Sequence, residues 1–113
     1  MDSKERLEEQ CKEIADFLQQ EKHGLNDDGE VYTAYDYLQD VFDIDYIITS
    51  NRHYLGARVL VACGGPNIIL DTEKSLVIGK WGCDRVEIPF NDKLGLDDAL
   101  EEMARDLFNV KQD

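Results

Sequence analysis

Tyr46-Ile47-Ile48-Thr49, Ala57-Arg58-Val59-Leu60-Val61-Ala62, Asn67-Ile68-Ile69-Leu70, Leu76-Val77-Ile78 and Arg85-Val86-Glu87-Ile88 are short runs of β-branched and aliphatic residues, separated by Gly, Pro, Asn or Asp. Branched side chains fit a pleated surface, and the intervening residues are those that turn a chain. The connections are too short for crossover helices, so the runs read as an antiparallel meander of four or five strands. Asp71-Thr72-Glu73-Lys74 and Trp81-Gly82-Cys83-Asp84 read as hairpin turns. Gly64-Gly65-Pro66 is likewise a turn. It lacks the Lys-Ser/Thr or glycine spacing of a phosphate-binding loop and opens no helix.

Outward from these runs the period changes. From about Ser3 to Gln20 the residues Leu7, Cys11, Ile14, Ala15 and Leu18 recur at helical spacing, with Phe17 beside them and charges on the remaining face. The segment from His23 to Gly29 supplies two glycines and turn-forming Asn and Asp, which end that helix in a loop. A second, shorter helix is expected from about Tyr32 to Phe42. Downstream, Leu96, Leu100, Met103, Leu107 and Val110 fall on one stripe, with Asp97 and Asp98 in the first turn, where carboxylates suit the helix dipole. The closing helix should reach about Val110. The expected fold class is therefore α+β: two N-terminal helices, a four- to five-stranded antiparallel sheet, and a C-terminal helix packed on that sheet.

With 113 residues, 42% of them hydrophobic, the chain is expected to form a single α+β domain over residues 1–113. No apolar run approaches the roughly 20 residues of a membrane helix, and the first residues lack the apolar stretch of a signal peptide. The expectation is a cytoplasmic protein with no membrane partner. Cys11, Cys63 and Cys83 are odd in number and widely spaced, which reads as reduced, partly buried thiols.

A net charge of −13 argues against direct nucleic-acid binding, which needs a basic surface to displace counterions. The partners implied are basic. Residues 1–45 hold 14 acids against 4 bases, while the strand-rich middle is almost neutral. Between Lys22 and Arg52 lie Asp27, Asp28, Glu30, Asp36, Asp40, Asp43 and Asp45 and not one Lys or Arg. Two like charges about 6 Å apart in water repel by roughly 0.7 kcal/mol, and these terms accumulate. A folded surface that tolerates such repulsion invites a functional explanation.

If residues 32–42 are helical, 100° per residue places Asp36, Asp40 and Asp43 within about 60° of one another, opposite Ala34, Leu38, Val41 and Phe42. Successive members of such a row are about 6 Å apart, within a factor of two of the 3.4 Å rise per nucleotide of a single strand. Such a row can occupy a groove built for phosphates. Asp27, Asp28 and Glu30 before it and Asp45 after it would lengthen it, and Tyr37 would supply a flat interface contact. The plainer reading of the same residues is a solvated acidic face.

Other chemistry finds less support. His23 and His53 are the only histidines, and neither sits in a Cys-His signature, so no catalytic residue is assigned and the protein is read as a non-enzyme. The spacing of Cys and His fits no zinc motif, and the loop of Asn26, Asp27, Asp28 and Glu30 lacks the twelve-residue calcium pattern. Neither a metal nor a cofactor is expected. Arg52, Arg58, Lys80 and Arg85 lie in the neutral strand region, where they offset nearby carboxylates.

The segment Tyr54-Leu55-Gly56-Ala57-Arg58-Val59-Leu60-Val61-Ala62-Cys63-Gly64-Gly65-Pro66-Asn67, with Lys80-Trp81-Gly82, resembles small acidic orphan proteins carried by phages and conjugative elements of low-GC Gram-positive bacteria. Some proteins of that type are anti-CRISPR inhibitors. The resemblance implies a phage or mobile-genetic-element protein whose acidic surface acts as a DNA mimic and occupies the nucleic-acid site of an effector nuclease. With the charge pattern it yields the expected function: an inhibitor of a basic nucleic-acid-binding protein, such as a CRISPR effector. The rival expectations are an accessory interaction protein of a conjugative element and a small ligand-binding domain using Arg58, His53 and residues 64–66.

Overall fold

The five β-rich runs pair into one antiparallel sheet in chain order: β1 (Asp43–Ile48), β2 (Tyr54–Ala62), β3 (Asn67–Asp71), β4 (Leu76–Trp81) and β5 (Asp84–Pro89). Three helices complete the chain: α1 (Ser3–Gln19), α2 (Ala34–Leu38) and α3 (Leu96–Phe108). The structure, a computed structural model, describes residues 2–111. The expected domain boundaries also take in residues 1, 112 and 113, which lie outside the described residues. The meander follows from its turns. Trp81 pairs with Asp84 across a two-residue turn in which Gly82 has φ 59, a conformation that costs glycine nothing.

Strand residues alternate between two faces. Ala57, Val59, Ile68, Leu70, Val77 and Val86 are buried and face the helices, as do the half-buried Ile44 and Tyr46. On the opposite face Leu60, Ile69 and Ile78 stand side by side in register, flanked by Asp43 on β1 and Glu87 on β5. The register slips once in β2, where Leu60 pairs with Ile69 and Ala62 with Ile68, leaving Val61 as a bulge.

Helix α1 begins where the Asp2 carboxylate accepts the Glu5 N–H at 2.8 Å. It lies across β4 and β5 and buries Leu7, Cys11, Ala15 and Leu18. Each fully buried leucine contributes about 1.5–3 kcal/mol. The helix comes so close to β4 that a Cβ on Gly79 would sit 2.6 Å from Cys11 Sγ. Helix α3 packs on β2 and α2 through Leu96, Ala99, Leu100 and Ala104. Its start is held by Asp92, whose carboxylate accepts the N–H groups of Gly95, Leu96 and Asp97 at 2.9 Å. Asn109, at φ 54, closes it.

The fold is thus α+β, with a five-stranded antiparallel sheet and a C-terminal helix on it, but the second N-terminal helix needs correction. In place of a helix over 32–42 there is one turn, Ala34–Leu38. Downstream of it the Phe42 N–H donates to the Leu60 carbonyl at 2.9 Å, and Asp43–Ile48 pairs with β2. The period-two order Asp43, Ile44, Asp45, Tyr46 puts its carboxylates on one side and its apolar groups on the other. Sheet pairing of this run outweighs the helical spacing of its aspartates. Two smaller expectations also change. Leu107 is 64% exposed although Val110 beyond it is buried, and among the thiols only Cys11 is buried, Cys63 and Cys83 lying exposed in loops beyond β2 and β4. No helix among the described residues is long and apolar enough to cross a membrane.

Candidate functional site

Gly24 to Asp40 forms an acidic lobe at the C-terminal end of α1, built around Asn26. The Asn26 side-chain oxygen accepts the N–H groups of Asp28 and Glu30, both at 3.0 Å, and its amide donates to Asp36 Oδ1 at 3.2 Å. Its backbone N–H donates to the Glu30 carbonyl at 2.7 Å, and the Tyr32 N–H returns to the Gly24 carbonyl at 3.1 Å. An Asx residue that satisfies its own turn fixes a short loop without core packing. Apolar Leu25 and Val31 pair as an isolated bridge across it and remain 67% and 73% exposed.

Asp27, Asp28, Asp36 and Asp40 come together around a cavity of about 420 Å³, with Asn26 and Tyr32 also in its wall. No basic side chain lines it. The four carboxylates are not equivalent. Asp36 forms a capping box, its Oδ2 accepting the Thr33 N–H at 2.7 Å and the Thr33 hydroxyl at 3.3 Å, so both of its oxygens are engaged within the chain. Asp27, Asp28 and Asp40 are exposed, and their carboxylates have no partner among the described residues.

Next to this cavity lies a second, of about 350 Å³, walled by Phe17, Tyr32, Tyr37, Asp40, Val41 and Val61. Tyr32 and Asp40 belong to both. Phe17 is the hub: Tyr37 stacks on it at 5.8 Å and 25°, while Tyr32 meets it nearly perpendicular at 5.9 Å and 87°. His23 packs against Phe17 at 4.7 Å and donates from Nε2 to the Phe17 carbonyl at 2.6 Å. Val61 lines this cavity from the β2 bulge.

Burial, and after it the neighbouring Tyr32, pushes the Tyr37 phenol up to about 12. The Tyr32 phenol is raised by burial first and then by the charges of Asp36 and Asp40. The negative potential of the lobe therefore reaches the aromatic wall.

The expected row of carboxylates is divided. Asp27, Asp28, Asp36, Asp40 and Tyr37 gather at the two cavities, and Glu30 is exposed on the adjoining loop. Asp43 and Asp45 are instead exposed on β1, the edge strand, so no helical row Asp36-Asp40-Asp43 exists. A helical row does exist on α1, where Glu5, Glu9 and Glu13 repeat every four residues and Glu8, Lys12 and Asp16 share a shallow groove with them. Lys4, Arg6, Lys12 and Lys22 hide this row from any search for a stretch without bases. The part of Asn26 in shaping the loop, and Phe17 and Val61 as cavity walls, are not marked by the charge pattern. For Phe17 the signal was its place beside the apolar stripe, which turns an aromatic ring toward the flank of the helix.

Among the described residues no group of three or more His, Cys, Asp or Glu side chains is placed to hold a metal ion. Arg58, His53 and residues 64–66 line neither of these two cavities. Arg58 is paired instead with the buried Asp71 at 3.5 Å. Comparison with protein-family models, with curated proteins and with solved structures finds no match, which leaves the chemistry of the two adjoining cavities as the guide to function.

Proposed function

We propose that this chain is a non-enzymatic binding protein of the bacterial cytoplasm that inhibits a basic nucleic-acid-binding protein by presenting carboxylates where phosphates would lie. A CRISPR effector nuclease is the expected target, and a phage or conjugative element the expected setting. The observation that carries this reading is the cavity walled by Asp27, Asp28, Asp36 and Asp40, in which no basic side chain neutralises them and whose loop is fixed by Asn26. A loop backbone already fixed by Asn26 needs little ordering when a cationic cleft closes on its carboxylates, so less of the attraction is lost to entropy. The field of the acidic ends of the chain would steer a basic partner and make association fast and salt-sensitive. Glu5, Glu9 and Glu13 on α1 and Asp43 and Asp45 on β1 extend the anionic surface beyond the lobe.

The test is affinity purification from the host with the tagged protein, at low salt and at about 150 mM, where screening is felt beyond roughly 8 Å. A basic nucleic-acid-binding protein should be retained at low salt and displaced by added nucleic acid. A triple variant, Asp27→Asn, Asp28→Asn and Asp40→Asn, should fold normally and lose at least about tenfold in affinity. Asp36 is left intact because its carboxylate caps α2. A retained partner that is not basic, or one that nucleic acid fails to displace, overturns the reading.

A further inference from the structure

The cavity of Phe17, Tyr32 and Tyr37 is not explained by phosphate mimicry, because phosphates need no aromatic wall. Its rings come from three separate places, the flank of α1, the return of the lobe loop and the short helix α2, and the β2 bulge adds Val61. The one charged side chain in its wall is Asp40, exposed and without a partner among the described residues. A concave site with aromatic faces, a carboxylate at its mouth and aliphatic groups at its side has a definite complement: a cation carried on an apolar stem.

We infer that this cavity receives an arginine side chain of the basic partner. A guanidinium is planar, so it lies flat on an aromatic ring while its fork donates to a carboxylate in the same plane. Tyr32 and Asp40 stand together at the boundary of the two cavities, where both contacts are offered at once. The stem then lies along Val41 and Val61. A lysine ammonium is a strongly hydrated point charge and keeps the carboxylate contact while gaining less from the rings. Burial first, and then the charges of Asp36 and Asp40, raise the Tyr32 phenol, and those charges are what would greet the cation.

This inference rests on the reading of the partner as basic, but it is tested on the protein alone. The probes are two capped nine-residue peptides that alternate glycine with either arginine or lysine and so carry equal charge. Titration calorimetry of the full chain should give the arginine peptide about tenfold the affinity of the lysine peptide. Tyr32→Leu should bring the two affinities together, leaving a salt-dependent remainder, and Asp40→Asn should weaken both. In wild-type protein the ring resonances of Phe17, Tyr32 and Tyr37 should shift with the arginine peptide more than with the lysine peptide, a readout that needs no variant to fold. Equal affinities for the two peptides, or a preference untouched by Tyr32→Leu, overturn the inference. If the peptides bind equally but host purification still yields a basic partner that nucleic acid displaces, the acidic-surface reading stands alone. If arginine preference holds and no basic partner is found, the pocket stands and the inhibitor reading falls.

Discussion

Tyr37 joins the stability of the fold to its site, because the ring that stacks on Phe17 also forms a wall of the aromatic cavity. Burial holds its phenol at about 12, against an ordinary value of 10.0, so the folded chain favours the neutral form. As pH rises past about 10 the unfolded chain loses this proton first, and the stabilisation fades until the folded phenol ionises as well. The other four tyrosines, Tyr32, Tyr35, Tyr46 and Tyr54, shift in the same direction. Urea midpoints should therefore fall between about pH 10 and 12, and Tyr37→Phe should flatten that fall without abolishing it. An equal slope in the variant would show that this phenol titrates alike in both states. At this scale the sequence was partly readable. Asp27, Asp28 and Asp40 do sit together at the lobe, whereas Asp36 is tied to Thr33 in a capping box that the Thr33-x-x-Asp36 spacing contained but charge counting overlooked.

Among the elements, α1 and the strands were the most legible, because each carries its period over many residues and each period is reinforced by packing. The contact between α1 and β4 puts a figure on that packing. A methyl group on Gly79 would meet Cys11 Sγ at 2.6 Å and Leu7 Cδ1 at 2.8 Å, so these buried side chains, or α1 with them, would have to shift. Gly79→Ala should cost about 1–3 kcal/mol by overpacking. Gly65→Ala, at a loop glycine with no atom within 4 Å of the added methyl group, should change stability by less than about 0.5 kcal/mol. Chemical denaturation of the two variants checks the pair, and equal losses would place the cost in backbone flexibility instead of contact. The segment from Tyr32 to Ile48 was the least legible. Its aspartates satisfy a helical spacing and a strand spacing at once, and the choice is made by β2, which supplies hydrogen bonds that no local pattern announces.

Across the whole molecule, charge and fold are separated: the near-neutral sheet supplies the core, and the net −13 is carried by the two ends of the chain. That division was visible in the sequence because composition needs no geometry. The meeting of Phe17, Tyr32, Tyr37 and Val61 was not, since it joins a helix flank, a loop, a helical turn and a bulge across 44 residues of chain. The edge position of β1 has a further outcome. Its outer backbone groups are an open template for another strand, and Asp43 and Asp45 stand on it like fence posts. Replacing both with asparagine should let the protein assemble into sheet-rich oligomers at neutral pH, seen by light scattering and amide-region infrared spectra, and a variant that stays monodisperse would show that the twist of the edge suffices. The native chain should clump in the same manner near its isoelectric point of about 4.4, so acidification would strip away the charges that guard the chain against its own kind.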